Sequence, residues 1–192
     1  MGLMIHSLGE LPANAKRAYY VYLLDYGWDE PLGEALHKNF DRMAALASHN
    51  NAVVMQGIVG SHFQDEVLSW HNINGQPGDE VLPAILITTR HPVQFRESGR
   101  EWGADAKRTT DRMVLIPLRG TCESATDVAL LIEKIFRDIK DKKALSEFEV
   151  ARELMKGKDG ALVDALILQP NVAGVGINFN YIIDFFTARR KT

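Results

Sequence analysis

The sequence has very little cysteine and no long apolar run. Among its 192 residues there is one cysteine, Cys122, so no disulfide can form within the chain, and a reducing cytoplasmic location is expected. The first twenty residues, MGLMIHSLGELPANAKRAYY, contain neither an extended apolar stretch nor a basic region leading into one. Neither a signal peptide nor a membrane span is therefore predicted, and no membrane partner is expected.

Neither sign of charge is in large excess. The chain carries 22 Lys and Arg residues against 25 Asp and Glu residues, which gives a formal net charge of −3. A dedicated nucleic-acid-binding protein usually presents a strongly basic surface, so this function is not expected. A chain of this length can bury a sufficient core in one domain spanning residues 1–192, without a metal or a disulfide.

Strand-like and helix-like segments alternate along the chain. This order predicts an α/β fold with a mostly parallel central sheet. Pro117 cannot donate a ladder hydrogen bond, so the run that contains it is predicted to be an outer strand. The predicted strands are the apolar runs at residues 18–25, 52–58, 82–88 and 113–118.

Two segments have the periodicity of amphipathic helices. In residues 28–51 the apolar side chains recur at helical spacing, and Asp29 is placed to cap the first turn. In residues 124–143, Ser124 and Asp127 have the spacing of a capping box. The C-terminal part is predicted to add a helix near residues 146–156, a strand at 161–169, a turn at 171–176 and a helix at 180–190.

The order of these segments resembles the thioredoxin fold over residues 17–140, with residues 141–192 as a C-terminal strand-helix extension. The sequence GWDEPLGEAL is similar to the Trp-Cys-Gly-Pro-Cys opening of that family's first helix, with Trp28 and Pro31 at matching positions. Pro83 stands where the family has its cis-proline. Asp29 and Leu32 occupy the two cysteine positions, so the resemblance implies a redox-inactive relative, and no cofactor is expected. A doubly wound three-layer sandwich is the alternative fold.

Small and charged residues follow three of the predicted strands. In α/β sheets, ligands bind just beyond the carboxyl ends of the strands, where the chain turns into helices. If the three strands are parallel, their ends meet at one edge of the sheet. The candidate ligand-binding residues are therefore Asp25, Trp28, Gly57, Gly60, Ser61 and Arg90.

The stretch SHFQDEVLSWHN, residues 61–72, combines two histidines with two carboxylates. At about 100° per residue, His62, Asp65, Glu66 and Ser69 share one face of a helix. His71 lies opposite His62, so a metal bound by both histidines is not expected.

This stretch has two interpretations. In one, Asp25, Asp29 or Glu66 orients His62 as a general base, and Arg90 or the backbone of residues 57–60 holds an anion. The candidate catalytic residues are then His62, Glu66 and Asp29. In the other, Ser61 caps a helix whose acidic residues face solvent and whose apolar stripe packs on the core.

Two functions remain open at this point. The first is a module that binds another protein or its own copy, suggested by the apolar sequence YIIDFF at residues 181–186, which exceeds what one helix stripe needs to bury. The second is a small enzyme or sensor for a nucleotide-like or phosphate-bearing ligand held at the strand ends.

Overall fold

The computed structural model describes residues 1–27, 30–71, 73–74, 81–98, 113–155, 167–168 and 177–178. Most of its strands belong to one mixed sheet. The strands are β1 (Gly2–Ile5), β2 (Tyr19–Leu24), β3 (Ala52–Gly57), β4 (Ile73–Asn74), β5 (Ala84–Thr88), β6 (Met113–Pro117), β7 (Ile167–Leu168) and β8 (Ile177–Asn178). The main sheet has the order β1-β3-β2-β5-β6-β7, and β4 pairs separately with β8.

The α/β class is confirmed, but the prediction of a mostly parallel sheet is wrong. β1 and β2 both run parallel to β3, whereas β5 is antiparallel to β2, β6 to β5 and β7 to β6. Long apolar runs favour parallel strands, because such strands are buried on both faces. Here helices cover both faces of the sheet, so its antiparallel strands are equally apolar, and the pattern alone carries no information on direction.

The helices are α1 (Pro31–Lys38), α2 (Phe40–His49), α3 (Phe63–Trp70), α4 (Pro92–Ser98), α5 (Leu118–Thr121), α6 (Ala125–Lys140) and α7 (Glu149–Met155). Short 3₁₀ turns lie at Leu8–Glu10 and Leu145–Glu147. The single helix predicted over residues 28–51 is two helices, because the chain leaves helical geometry at Asn39, whose side chain donates to the Ala35 carbonyl at 2.8 Å.

Two apolar clusters sandwich the main sheet. Along β2, Tyr19, Val21 and Leu23 pack into the cluster formed with α1, α2 and α6, while the alternate residues pack into the cluster formed with α3 and α4. This alternation follows from the two-residue period of a strand. All six residues of β2 are buried, which makes it a central strand of the fold.

The start of α6 is confirmed as a capping box, since Ser124 accepts from the Asp127 amide and Asp127 accepts from the Ser124 amide. The prediction that residues 113–118 form an outer strand is wrong, because β6 lies between β5 and β7. Pro117 is tolerated there as the last residue of the strand. The peptide bond between Leu82 and Pro83 is cis.

Much of the predicted C-terminal extension lies outside the described residues. Of the predicted strand at 161–169, the structure describes the two residues of β7. The turn at 171–176, the helix at 180–190 and the apolar sequence at 181–186 all lie outside the described part of the chain. No helix in the described ranges is long and apolar enough to cross a membrane.

Candidate functional site

The carboxyl ends of β2 and β3 lie side by side, since these neighbouring strands are parallel and Leu23 pairs with Gln56. Asp25 follows β2 directly. The end of β6 reaches the same edge of the sheet, because Ala84 pairs with both Leu24 and Pro117. This edge, which we call the carboxyl edge, is where α1, α3 and α5 begin.

A buried carboxylate and a histidine meet at the carboxyl edge. His37, on α1, places Nε2 at 2.9 Å from Asp25 Oδ2 and Nδ1 at 3.2 Å from Gln56 Oε1. The side chain of Asp25 is 6% exposed, whereas that of His37 is 39% exposed. We call this group the Asp25 pair, with Gln56 as its third member. It is an acid–imidazole arrangement with one face open to solvent.

The contact with Asp25 identifies one protonated nitrogen of His37. A carboxylate can only accept, so Nε2 carries a hydrogen. Nδ1 faces the Gln56 amide, whose oxygen accepts from it when the ring is protonated. The hydrogen bond to Asp25 is the largest contribution that raises the pKa of His37 above its usual 6.5, with the Gln56 bond and the Asp25 charge adding to it and partial burial opposing it.

The local sequence explains how α1 reaches the carboxylate. Pro31 occupies the first turn of α1, where its missing amide costs nothing. Gly33 lies against Asp25, and a Cβ at that position would be only 2.5 Å from Asp25 Oδ2. His37 follows Gly33 by four residues and therefore lies on the same side of the helix. Glycine at position 33 thus allows the helix close enough for His37 to pair.

A second ion pair holds the start of α1. Glu30 occupies the N-cap position, and both its carboxylate oxygens bind Arg119 of α5, with Nη2 to Oε2 at 2.7 Å and Nε to Oε1 at 2.9 Å. Both side chains are partly buried, at 23% and 31% exposed for Glu30 and Arg119. A two-point contact of this kind fixes the relative orientation of the two side chains as well as the distance between them. It joins the loop after β2 to the segment after β6.

The loop between β3 and α3 contains several of the predicted ligand-binding residues. Gly57 is required by packing, because a Cβ there would lie 2.5 Å from the Phe63 Cβ, and Gly60 has a φ of +82° that favours glycine. Ser61 does not cap α3 as predicted: the N-cap is His62, and the buried Ser61 hydroxyl has no hydrogen-bond partner within the described structure.

The structure separates His62 from the residues expected to orient it. The His62 side chain is 93% exposed, and its Nδ1 lies 3.5 Å from Asp65 Oδ2. Glu66 instead accepts hydrogen bonds from the Ser7 hydroxyl and the Leu8 amide, both at 2.8 Å. Asp25 is engaged by His37. Glu66 and Asp25 therefore each have a hydrogen-bond partner other than His62.

Arg90 lies at the opposite edge of the sheet. It follows β5, which is antiparallel to β2, so that Thr88 pairs with Tyr20 near the start of β2. Its guanidinium carbon lies 5.0 Å from the centre of the Phe95 ring. The expectation that Arg90 shares an edge with Asp25 is thus wrong for the same reason as the parallel sheet. The candidates Trp28 and Asp29 lie outside the described residues.

His71 is a core residue. Its ring is fully buried between Tyr22 and Phe95, with ring centres 5.0 Å and 4.3 Å away. Nδ1 donates to the Val67 carbonyl at 2.7 Å, and Nε2 has no partner in the described part of the chain. Burial lowers the pKa of His71 to about 4, so the ring is neutral at pH 7.

The only thiol of the chain is buried and carries little charge at pH 7. Cys122 is buried, and burial, with a smaller effect of the Asp127 charge, raises the pKa of its thiol to about 11. Within the described residues there is also no group of three or more His, Cys, Asp or Glu side chains that could hold a metal ion.

Sequence reasoning identified Asp25 but missed His37 and Gln56. His37 lies among polar residues of a predicted helix, and Gln56 interrupts an apolar strand. A polar residue inside an otherwise buried strand was the available signal, since such a residue needs a partner. The partner could be named only after the helix had been placed on the sheet.

The fold and this site define a mixed α/β protein with a carboxylate–imidazole pair at the carboxyl edge of its sheet. No protein-family model, curated protein or solved structure matches the chain.

Proposed function

We propose that this chain is a redox-inactive, thioredoxin-like module that acts in the cytoplasm by binding another protein at its carboxyl edge. The order of its described elements from residue 19 to residue 140 supports the thioredoxin-like part. That order is strand, two helices, strand, helix, strand, helix, strand and helix, apart from the short β4 and α5.

The state of Cys122 supports the redox-inactive part. Thiol–disulfide exchange starts with attack by a thiolate on an accessible disulfide. A buried thiol whose pKa is raised to about 11 supplies almost no thiolate at pH 7. The chain contains no second cysteine that could resolve a mixed disulfide.

The exposure of Val59 carries the binding part of the proposal. This residue lies at the tip of the loop after β3, and its side chain is fully exposed, at 102% of the reference value. Met4, which pairs with Gln56 across β1 and β3, is also 56% exposed. Large apolar side chains exposed beside a polar site are typical of surfaces that contact another protein.

Photocrosslinking from position 59 tests this proposal. A photoreactive amino acid replaces Val59, and in a matched control it replaces Leu130, an apolar residue of α6 that is 52% exposed. We expect a discrete crosslinked adduct from position 59 in the native cell and none from position 130. Equal labelling from both positions, or no adduct from position 59, would contradict the proposal.

A disulfide-reduction assay tests the redox part separately. We expect the purified chain to reduce a disulfide-containing protein no faster than the buffer thiol alone, because no thiolate is available. Reduction that depends on Cys122 would show that the chain is not redox-inactive.

The Asp25 pair favours a second candidate function, a small enzyme or sensor for a nucleotide-like or phosphate-bearing ligand. In the neutral ring Nδ1 can accept a proton, and in the protonated ring it can donate to an anion, in each case in place of its contact with the Gln56 amide. The topology removes Arg90 from this candidate site and adds His37 to it.

A thermal-shift screen against nucleotides and sugar phosphates tests this second candidate. A ligand at about 100 times its dissociation constant adds roughly 2.7 kcal/mol of stability, enough to raise the melting temperature by several degrees. We expect such a shift to be lost in His37→Gln and retained in His62→Ala. The absence of any shift in the wild type, or a shift insensitive to His37→Gln, would argue against it.

A further inference from the structure

β1 is the outermost described strand at one side of the main sheet. The Met1 carbonyl accepts a hydrogen bond from the amide of Val54 in β3 at 2.8 Å, and the Ile5 carbonyl accepts one from Ile58, the residue after β3, at 3.1 Å. In a parallel ladder every second residue bonds to the same neighbour. The N–H and C=O groups of the alternate residues, Gly2 and Met4, therefore point away from β3, and no described residue bonds to them.

The four residues of β1 include no charged residue and no proline, two features that often protect an edge strand. Natural sheet edges carry lysines, prolines or bulges that prevent pairing with another chain. β1 has the sequence GLMI, without a charge or a proline, and Met4 is 56% exposed. The next amide, that of His6, is already bonded to Glu10 at 3.1 Å. The open stretch is therefore limited to Gly2 and Met4.

We propose that this edge pairs with β1 of a second copy of the chain. In an antiparallel pairing about a two-fold axis, Gly2 of each copy is opposite the partner's Met4, and the two Leu3 residues meet at the axis. The N–H and C=O groups of Gly2 and Met4 then all find partners, through four hydrogen bonds. The two sheets become one continuous sheet across the dimer.

The spacing of the open residues is what points to a second copy. An isologous contact needs a surface that complements itself. Two outward residues separated by one residue have this property, because the same two positions supply both sides of the ladder. Each Met4 side chain lies opposite a glycine, so the side chains do not collide, and the four residues of β1 bring no like charges together.

Light scattering of the full-length chain tests the dimer, with Met4→Pro as the disruptive variant. Because the Met4 amide points away from β3, proline at this position breaks no hydrogen bond within the chain, but it removes one donor from each copy. We expect the wild type to have twice the mass of the chain. We expect Met4→Pro to raise the dimer dissociation constant by about 30-fold or more.

The matched control is Met4→Leu, which retains the outward amide and should remain dimeric. Met4→Lys adds a charge at the edge without changing the backbone, and should weaken the dimer as Met4→Pro does. A wild type that stays monomeric at high concentration, or a dimer that persists in both Met4→Pro and Met4→Lys, would overturn the proposal.

Disulfide trapping tests the register. Opposite residues at the axis have Cα atoms about 4.5 Å apart, which suits a disulfide, whereas the two Met4 residues would be separated by more than about 7 Å. In a Cys122→Ala background, we expect Leu3→Cys to form a covalent dimer on oxidation and Met4→Cys to do so at least 10-fold more slowly. Equal rates, or no dimer from Leu3→Cys, would contradict the two-fold pairing.

Discussion

Two regions of this chain combine histidine with carboxylates, and the fold uses them differently. Residues 61–71 hold their titratable groups close together in sequence, yet Glu66 binds the N-terminal segment, His71 is buried in the core and His62 is exposed to solvent. The Asp25 pair is assembled from β2, α1 and β3, and its two groups touch. The titratable residues that are close together in sequence therefore mainly stabilise the fold. The contact between a carboxylate and an imidazole is formed instead by residues from separate elements.

The largest effect on the free energy of unfolding is expected from protonation of His71 at acidic pH, and it tests the contrast between the two regions. Its pKa is about 4 in the folded state against 6.5 for an ordinary histidine, so the unfolded chain binds the proton first. Stability should fall as the pH drops below about 6.5 and lose on the order of 3 kcal/mol by pH 4. Urea titrations at pH 7 and pH 4 should show that the free energy of unfolding falls by about 3 kcal/mol less in His71→Phe than in the wild type. An equal loss in both proteins would show that His71 is not a buried neutral residue.

Asp25→Ala should have the next largest effect. It removes a buried charged acceptor from His37, which we expect to lower the free energy of unfolding by about 2 kcal/mol. Asp65→Ala is the matched control, since Asp65 is half-exposed and accepts one hydrogen bond from Tyr26. Its cost should be under about 1 kcal/mol in the same denaturation series. If the two variants cost the same, the Asp25 pair would have no special role in the fold.

Glu66→Ala tests the structural role assigned to the α3 region. The change removes the acceptor of the Leu8 amide and the Ser7 hydroxyl, so we expect a loss of about 1.5 kcal/mol. The Leu8 amide should also exchange with solvent faster, while Glu66→Gln, which keeps one acceptor oxygen, should lose less. Unchanged exchange at Leu8 would contradict this role.

The His37 ion pair predicts a smaller dependence on pH, of the opposite sign to that of His71. Because its pKa is raised in the folded state, its contribution is fully present below about pH 6.5 and is lost as the pH rises through the folded pKa. The stability difference between the wild type and His37→Gln should therefore shrink between acidic and mildly alkaline pH. A difference that grows with pH would reverse the assigned sign.

His62→Ala should have the smallest effect. A side chain that is 93% exposed and only 3.5 Å from a half-exposed acid contributes little, so we expect the free energy of unfolding to change by less than about 0.5 kcal/mol. A loss above about 1 kcal/mol would contradict the exposed position of His62.

Local patterns predicted four central strands and the helix α6, but they predicted neither the directions of the strands nor the elements β1 and α4. The strands β2, β3, β5 and β6 and the helix α6 were predicted because continuous apolar runs of strand length and a capping box are local signals. The direction of β5 was not evident, since a strand buried between two helical layers is apolar whichever way it runs. Because β5 runs antiparallel to β2, Arg90 lies at the opposite edge of the sheet from Asp25.

The candidate site was predictable only in part, for a related reason. Asp25 follows a buried strand and was found by position. His37 depends on how α1 packs on β2, which in turn depends on Gly33 lying against the carboxylate. Nothing in the local pattern of a helix indicates which neighbour its polar side chains will meet.

Nitrogen and proton NMR of the His37 ring tests the existence of the Asp25 pair most directly, because it reports the protonation of each ring nitrogen. We predict that at pH 6 both nitrogens carry hydrogen and that the ring titrates above the usual 6.5, returning toward that value in Asp25→Asn. A ring that titrates like an exposed histidine and does not respond to Asp25→Asn would contradict a paired site at the carboxyl edge.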